Sequence, residues 1–182
     1  MKVSREQVGE NRRRILDQAG RLFRERGFDA VSVAEVMKAA GLTHGAFYGH
    51  FASKDELIAQ TLEHVLAGSE AAAEPEAFLA GYLSSQHCAD AAGGCPVAGL
   101  GAETLRQSPQ ARAAMTAGLR GQLQRMSETA PGADAAARRR EAIGRWSAMV
   151  GALTLARLSD DPALSQEILE QARSWIGERA ER

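Results

Sequence analysis

Residues 32–57 read SVAEVMKAAGLTHGAFYGHFASKDEL. SVAE at 32–35 has the S-x-x-E form of a capping box, in which a serine and a glutamate each satisfy a backbone amide at a helix start. It opens a short helix that turns Val33, Val36, Met37 and Ala40 inward, and Gly41 ends that helix. Thr43 stands where it can cap a third helix, and SKDE at 53–56 caps a fourth. Two short helices joined by Gly41–Leu42 form the helix-turn-helix arrangement. Within the third helix Ala46, Phe47 and Phe51 fall on the core side. His44, Gly45, Tyr48 and Gly49 fall on the opposite face, the one a recognition helix turns toward a major groove. Gly45 and Gly49 add no side chain there and permit close approach of a duplex.

Helix starts flank this face. Backbone amides at a helix N-terminus attract anions, and Ser32 and Thr43 open the second and third helices. Lys54 sits in the first turn of the fourth, where a cation opposes the helix dipole. A placement that disfavours the isolated helix points to another use, a phosphate partner. His50, and Arg13 within the Arg12–Arg14 triplet, complete the candidate DNA-contacting set of Arg13, Ser32, Thr43, His44, Gly45, Tyr48, His50 and Lys54. Each has a plainer role as cap, packing or solvated charge; their ordered spacing is what favours contact with DNA.

Upstream, SREQ at 4–7 has the form of another capping box, followed by the stripe Val8, Ile15, Leu16, Ala19, Leu22 and Phe23. Gly27 stops that helix and lets Phe28 fold back on its last turn. Downstream, Leu57, Ile58, Thr61, Leu62, Val65 and Leu66 make one side of the fourth helix broadly apolar. No alternating stretch appears anywhere, so the chain reads as all-α with about nine helices.

With 182 residues, 45% apolar and 25% charged, the chain is long enough to bury a core and has a globular composition. No run of about 18 apolar residues is present, which argues against a membrane span, and the N-terminus lacks a secretory apolar segment; a cytoplasmic protein is expected. Residues 1–60 hold 10 Lys/Arg and 8 Asp/Glu, a balance of +2, and residues 61–182 hold 12 and 15, a balance of −3. That asymmetry is too mild to imply nucleic acid by itself.

The segment VSVAEVMKAAGLTHGAFYGHFASKDELI, with RRRILDQAGRLFRERGFDA before it, closely resembles the tetracycline-repressor (TetR) family of bacterial transcription regulators. The glycine turn, the Tyr-x-His-Phe run and the following lysine come in that family's order, over about residues 10–60. The resemblance implies an all-helical homodimer with an N-terminal helix-turn-helix domain at 1–52 and a C-terminal ligand-binding and dimerisation domain at 53–182, with a helix over 53–70 connecting them. It also implies that Thr43, His44, Gly45, Tyr48, His50 and Lys54 touch a palindromic operator, and that repression is the usual mode.

Beyond residue 70 the sequence turns rich in Ala and Gly. Pro75 lies near a helix start, where its missing N–H costs least, and Phe78, Leu79, Tyr82 and Leu83 form the next stripe. CADAAGGCP at 88–96 reads as a loop, Pro96 and Ser108–Pro109 begin further helices, and APGAD at 130–134 breaks the chain before the last two. Those two offer Val150, Leu153, Leu164, Ile168 and Trp175 as a dimer surface. A ligand pocket between the middle helices would draw its wall from Phe78, Tyr82, His87, Leu100, Met115, Leu119, Trp146 and Met149, and such an apolar wall suits a small hydrophobic effector.

His87, Cys88 and Cys95 form a second cluster. They could be structural, could form a thiol sensor, or could support a helical thiol- or metal-dependent enzyme. Three ligands fall short of a tetrahedral zinc site, and phosphate loop, nucleophile elbow and H-E-x-x-H pair are all missing. The expectation is therefore no enzyme, no cofactor and no metal, with Cys88 and Cys95 as possible redox residues.

Overall fold

The computed structural model describes residues 4–68 and 74–180. Among them are nine α-helices and one 3₁₀ helix: α1 (Arg5–Arg26), α2 (Val33–Ala39), η1 (His44–Gly49), α3 (Lys54–Ala67), α4 (Pro75–Tyr82), α5 (Ser85–Ala89), α6 (Pro96–Thr104), α7 (Pro109–Thr129), α8 (Ala135–Leu158) and α9 (Pro162–Ala180). The last residues of the helix expected over 53–70 lie outside the described residues.

Local chemistry sets most boundaries. Ser4 accepts the Gln7 amide, but the Gln7 side chain turns to Glu10 and Asn11, so only half of that box forms. At Ser32 both halves are present. Helix α2 ends in a Schellman motif: Gly41 N–H reaches Lys38 O at 3.0 Å and Leu42 N–H reaches Met37 O at 2.9 Å. Gly41 has φ +69°, a left-handed value that a side chain would strain. Gly27 ends α1 at φ +83°, and the Phe28 ring meets Phe23 edge-on at 5.2 Å.

Two hydrophobic clusters fill the interior. The first gathers Ile15, Ala19 and Phe23 of α1, Val36 and Met37 of α2, Phe47 of η1, Phe51, and Leu57, Ile58, Leu62 and Leu66 of α3. It continues into Leu100 of α6 and Ala111, Ala114 and Met115 of α7. The second holds Leu79, Tyr82, Cys95, Met126, Trp146, Met149, Leu153, Leu169 and Ile176. Helix α3 packs on both α1 and α7, and α6 touches α1, α7 and α8. Gly118 permits the α3–α7 approach, because a Cβ there would stand 2.6 Å from Leu66 Cβ. The elements that carry the helix-turn-helix are thus joined through α3, α6 and α7 to the larger helical part.

Three expectations change. The third helix is 3₁₀ rather than α, and Thr43 makes no side-chain cap bond at its start. CADAAGGCP is not all loop, since Cys88 and Ala89 end the helical turn α5, capped by Ser84. Leu153 is fully buried within one chain and cannot line a dimer surface. It lies three residues beyond Val150, a rotation of about 60° away from the α8 stripe that Val150 follows.

Candidate nucleic-acid surface and ligand cavity

The η1 surface stands on a packed floor. Phe47 and Phe51 are buried and stacked at 5.7 Å. Arg12 closes the underside: its guanidinium lies 4.4 Å over the Phe51 ring and donates to His50 O and to Gln60 Oε1. Arg14 donates to Ala40 O at the end of α2, where a cation suits the helix dipole. Among the described residues Arg13 is the member of the triplet left exposed without a side-chain bond.

Above this floor Thr43, His44, Gly45, Tyr48 and Gly49 are exposed, with Tyr48 at 70%. The His44 and Tyr48 rings meet edge-on at 6.4 Å, forming one continuous outward feature. The structure therefore brings the expected outward face together. The hydroxyl of Thr43 is not used as a cap and stays available to a partner.

Two members of the expected contact set are differently occupied. Ser32 Oγ donates to Glu35 Oε2 at 2.8 Å and accepts the Glu35 amide, so its hydroxyl is committed to the helix. His50 is half-buried with an unpartnered Nδ1, and burial, then the neighbouring Arg12 charge, lower its pKa. Lys54 is the first residue of α3, behind Ser53, whose Oγ accepts the Glu56 amide.

A cleft of about 630 Å³ lies between α1, α3, α4, α5, α7, α8 and the start of α6. Phe78, Tyr82, His87 and Trp146 line it as expected. Leu100, Met115, Leu119 and Met149 do not. Leu100 and Met149 are fully buried, Met115 sits in the first cluster, and Leu119 packs against that cluster. The polar part of the remaining wall comes from residues the sequence reading missed, Asp17, Arg21 and Arg24 of α1, His64 of α3 and Gln122 of α7, and Val65, Leu66, Cys95, Pro96 and Val97 add apolar surface. The spacing of Asp17, Arg21 and Arg24 at i, i+4 and i+7 marks one polar face of α1, which was the available signal. The wall is thus largely apolar, as expected, with a charged edge along α1 that the sequence reading did not include.

One side of the cleft is aromatic. Phe78 and Trp146 lie near parallel at 6.4 Å, and Tyr82 meets Trp146 edge-on at 5.2 Å. Tyr82 and Trp146 are 6% and 8% exposed, and both the Tyr82 hydroxyl and Trp146 Nε1 lack a hydrogen-bond partner. Burial, and next the Cys95 thiol beside it, push the Tyr82 hydroxyl above its usual pKa. On the opposite side Asp17 and His64 join α1 to α3 at 2.6 Å. Arg24 donates to Ala92 O at 2.7 Å, and its pKa is lowered by burial and then by Arg21.

The His87 cluster is structural in geometry. The ring accepts the Cys95 amide at Nε2 and bonds Tyr82 O through Nδ1, so both nitrogens are used. Arg157 donates to the carbonyls of His87, Cys88 and Asp90, closing the end of α5. Cys88 is a half-buried free thiol and Cys95 a buried one. Among the described residues no group of three or more His, Cys, Asp or Glu is placed to hold a metal ion, and no helix is long and apolar enough to cross a membrane.

An exposed short helix after a Schellman turn, held on a rigid aromatic floor, defines a helix-turn-helix protein. Residues 15–61 match the family model described as "Bacterial regulatory proteins, tetR family". The chain is 42% identical over 60 residues to the HTH-type transcriptional regulator AcrR of Shigella flexneri, covering 33% of this chain and 28% of that protein. It is 38% identical over 60 residues to the HTH-type transcriptional repressor KstR2 of Mycobacterium tuberculosis, covering 33% and 30%. The matched segment spans less than a third of each of these curated relatives. Among solved structures, the reduced form of E. coli NemR shares the fold with a TM-score of 0.70 at 24% identity, over 92% of this chain and 95% of that one. A TetR-family regulator from Agrobacterium tumefaciens does so with a TM-score of 0.69 at 18% identity, over 93% and 98%. The family match thus covers the helix-turn-helix part of the chain, residues 15–61, and the solved structures share the overall fold.

Proposed function

We propose that the protein is a transcriptional regulator that binds a palindromic DNA site as a homodimer and, acting as a repressor, leaves it when a small molecule fills the cleft. The observation that carries this is the η1 surface, where Thr43, His44, Gly45 and Tyr48 are exposed over a buried floor of Phe47 and Phe51. One such surface is too small for tight specific binding, so two copies would read half-sites about one helical turn apart, or a multiple of that. The partner contact falls to α8 and α9, where Ile143, Leu158, Leu164 and Trp175 are between 44% and 76% exposed, beside half-buried Val150 and Ile168. The cleft supports control, because its wall includes α1, the helix that carries the floor of the η1 surface.

Selection from random duplex DNA followed by fluorescence anisotropy tests the DNA-binding step. The expected motif is palindromic, and affinity falls steeply with salt as phosphate contacts release counterions. Lys54→Ala and Tyr48→Phe weaken binding about equally on all sequences, whereas His44→Ala changes the preferred bases. An unchanged motif for His44→Ala removes the base-reading role. A monomer that binds no duplex at low salt removes the proposal.

A further inference from the structure

Resting on the palindrome-binding homodimer proposed above, we infer that Glu103 is a positioning residue that sets which half-site spacing the protein accepts. Its carboxylate joins the two parts of the chain. Phe28 N–H, two residues beyond the end of α1, donates to Glu103 Oε2 at 2.8 Å. Phe28 is fully buried in the first cluster, so a bond to its amide holds the core of the helix-turn-helix part. The backbone leaves room for the carboxylate at this point. A Cβ on Gly27 would stand 2.5 Å from Glu103 Oε1 and 2.9 Å from Oε2. Neighbouring cations do not draw the carboxylate away: Arg26 pairs with Glu35, and among the described residues no ion pair includes Glu103. A backbone amide set in a packed core cannot follow a moving partner as a long side chain does, so this bond fixes position.

Helix α6 gives the bond its leverage. Val97 and Ala98 pack against the second cluster, and Leu100 is fully buried in the first. The same helix packs on α8, whose outer face carries the proposed partner contact. A route from the dimer helix to the η1 surface therefore runs through α8, α6, Glu103 and Phe28. Just ahead of α6, Ala92 O accepts from Arg24 Nε at 2.7 Å, so the end of α1 is tied near both ends of α6. The other junction is different in kind. Helix α3 meets α7 through apolar and small residues, with Leu66 over Gly118 and with Ala111, Ala114 and Met115 in the shared cluster. Apolar contact is non-directional and leaves α3 free to roll on α7. A hydrogen bond is directional, and one placed on α1 rather than α3 removes that freedom. In a two-fold dimer a roll would displace both η1 surfaces at once, and one added base pair displaces a half-site by about 3.4 Å and turns it by about 35°.

Fluorescence anisotropy with the full-length protein tests the role on the selected palindrome, on the same palindrome with one base pair inserted or removed at its centre, and on a single half-site. Wild type should lose about tenfold or more in affinity from either change of spacing. Glu103→Ala should bind the selected palindrome several-fold more weakly, lose no more than about threefold further on the altered spacings, and match wild type on the half-site within about twofold. Glu103→Gln, whose amide oxygen still accepts the Phe28 N–H, should keep the wild-type preference. A merely structural role would weaken palindrome and half-site alike. That result overturns the inference, as does a Glu103→Ala variant with the wild-type spacing preference, a Glu103→Gln variant that behaves like Glu103→Ala, or a wild type indifferent to spacing. A wild type that binds half-sites but no palindrome rejects the homodimer reading itself, and this inference with it.

Discussion

On the η1 surface, His44 and Tyr48 hold their polar atoms in solvent above a floor that is fully packed. In the cleft, Tyr82 and Trp146 hold theirs inside a buried wall, without partners. An exposed polar group loses nothing while it waits, because water satisfies it. A buried one destabilises the fold until something accepts its hydrogen bond. The first arrangement leaves its polar groups open to an arriving partner, and the second withdraws them from solvent. The floor beneath each surface differs as well. Arg12 and the Phe47–Phe51 stack fix η1 in place, whereas the cleft lies where seven helices from both parts of the chain meet.

The largest expected effect breaks the floor and spares the surface. Phe47→Ala should cost about 3–5 kcal/mol of stability by opening a cavity in the first cluster. Tyr48→Ala, one residue on but exposed, should stay within about 0.5 kcal/mol and yet weaken DNA binding. Urea unfolding of both variants, with anisotropy on the selected duplex, decides the matter; comparable destabilisation would mean that Tyr48 is part of the core.

A smaller effect is expected from Tyr82→Phe, which deletes the unpartnered hydroxyl and little else. Unfolding in urea should be unchanged or shifted toward stability by up to about 1 kcal/mol. A marked loss of stability in the ligand-free protein would show that the hydroxyl is already well partnered, and the contrast between the two surfaces would fail.

The smallest effect lies at the capping box behind η1. The Ser32 amide, then the Arg26 guanidinium and the Ser32 hydroxyl, lower the Glu35 carboxyl from 4.5 to about 2. A carboxylate depressed on folding contributes stability above its unfolded pKa and loses it as the pH falls through the folded value. The melting temperature of wild type should therefore exceed that of Glu35→Gln at pH 7, with the gap closing between pH 4.5 and about 2. Glu35 is fully exposed, so solvent screens the interaction and the gap should be modest. A gap that persists unchanged at pH 2 would assign the benefit to something other than the charge.

The sequence by itself determined what depends on neighbours within about four residues. The Ser32 and Ser53 caps, the stop at Gly27, the Gly41 turn, and the division of Phe47 and Phe51 from His44, Gly45 and Tyr48 all follow from helical spacing and the hydrogen bonds of helix ends. It also supplied the aromatic half of the cleft, because Phe78, Tyr82 and Trp146 are large side chains that a cavity commonly uses. Only the tertiary structure decided the rest. Arg21 and Arg24 read as an exposed face of α1 until α7 and α8 are brought opposite them, and Asp17 reads as a surface charge until His64 of α3 reaches it. Leu100, Met115 and Met149 carry the same apolar signature as a pocket wall yet fill the clusters, and Leu153 turns inward where Val150 does not. Apolar character says that a side chain leaves water, but whether it meets another side chain or an open cleft depends on the angles at which distant helices cross.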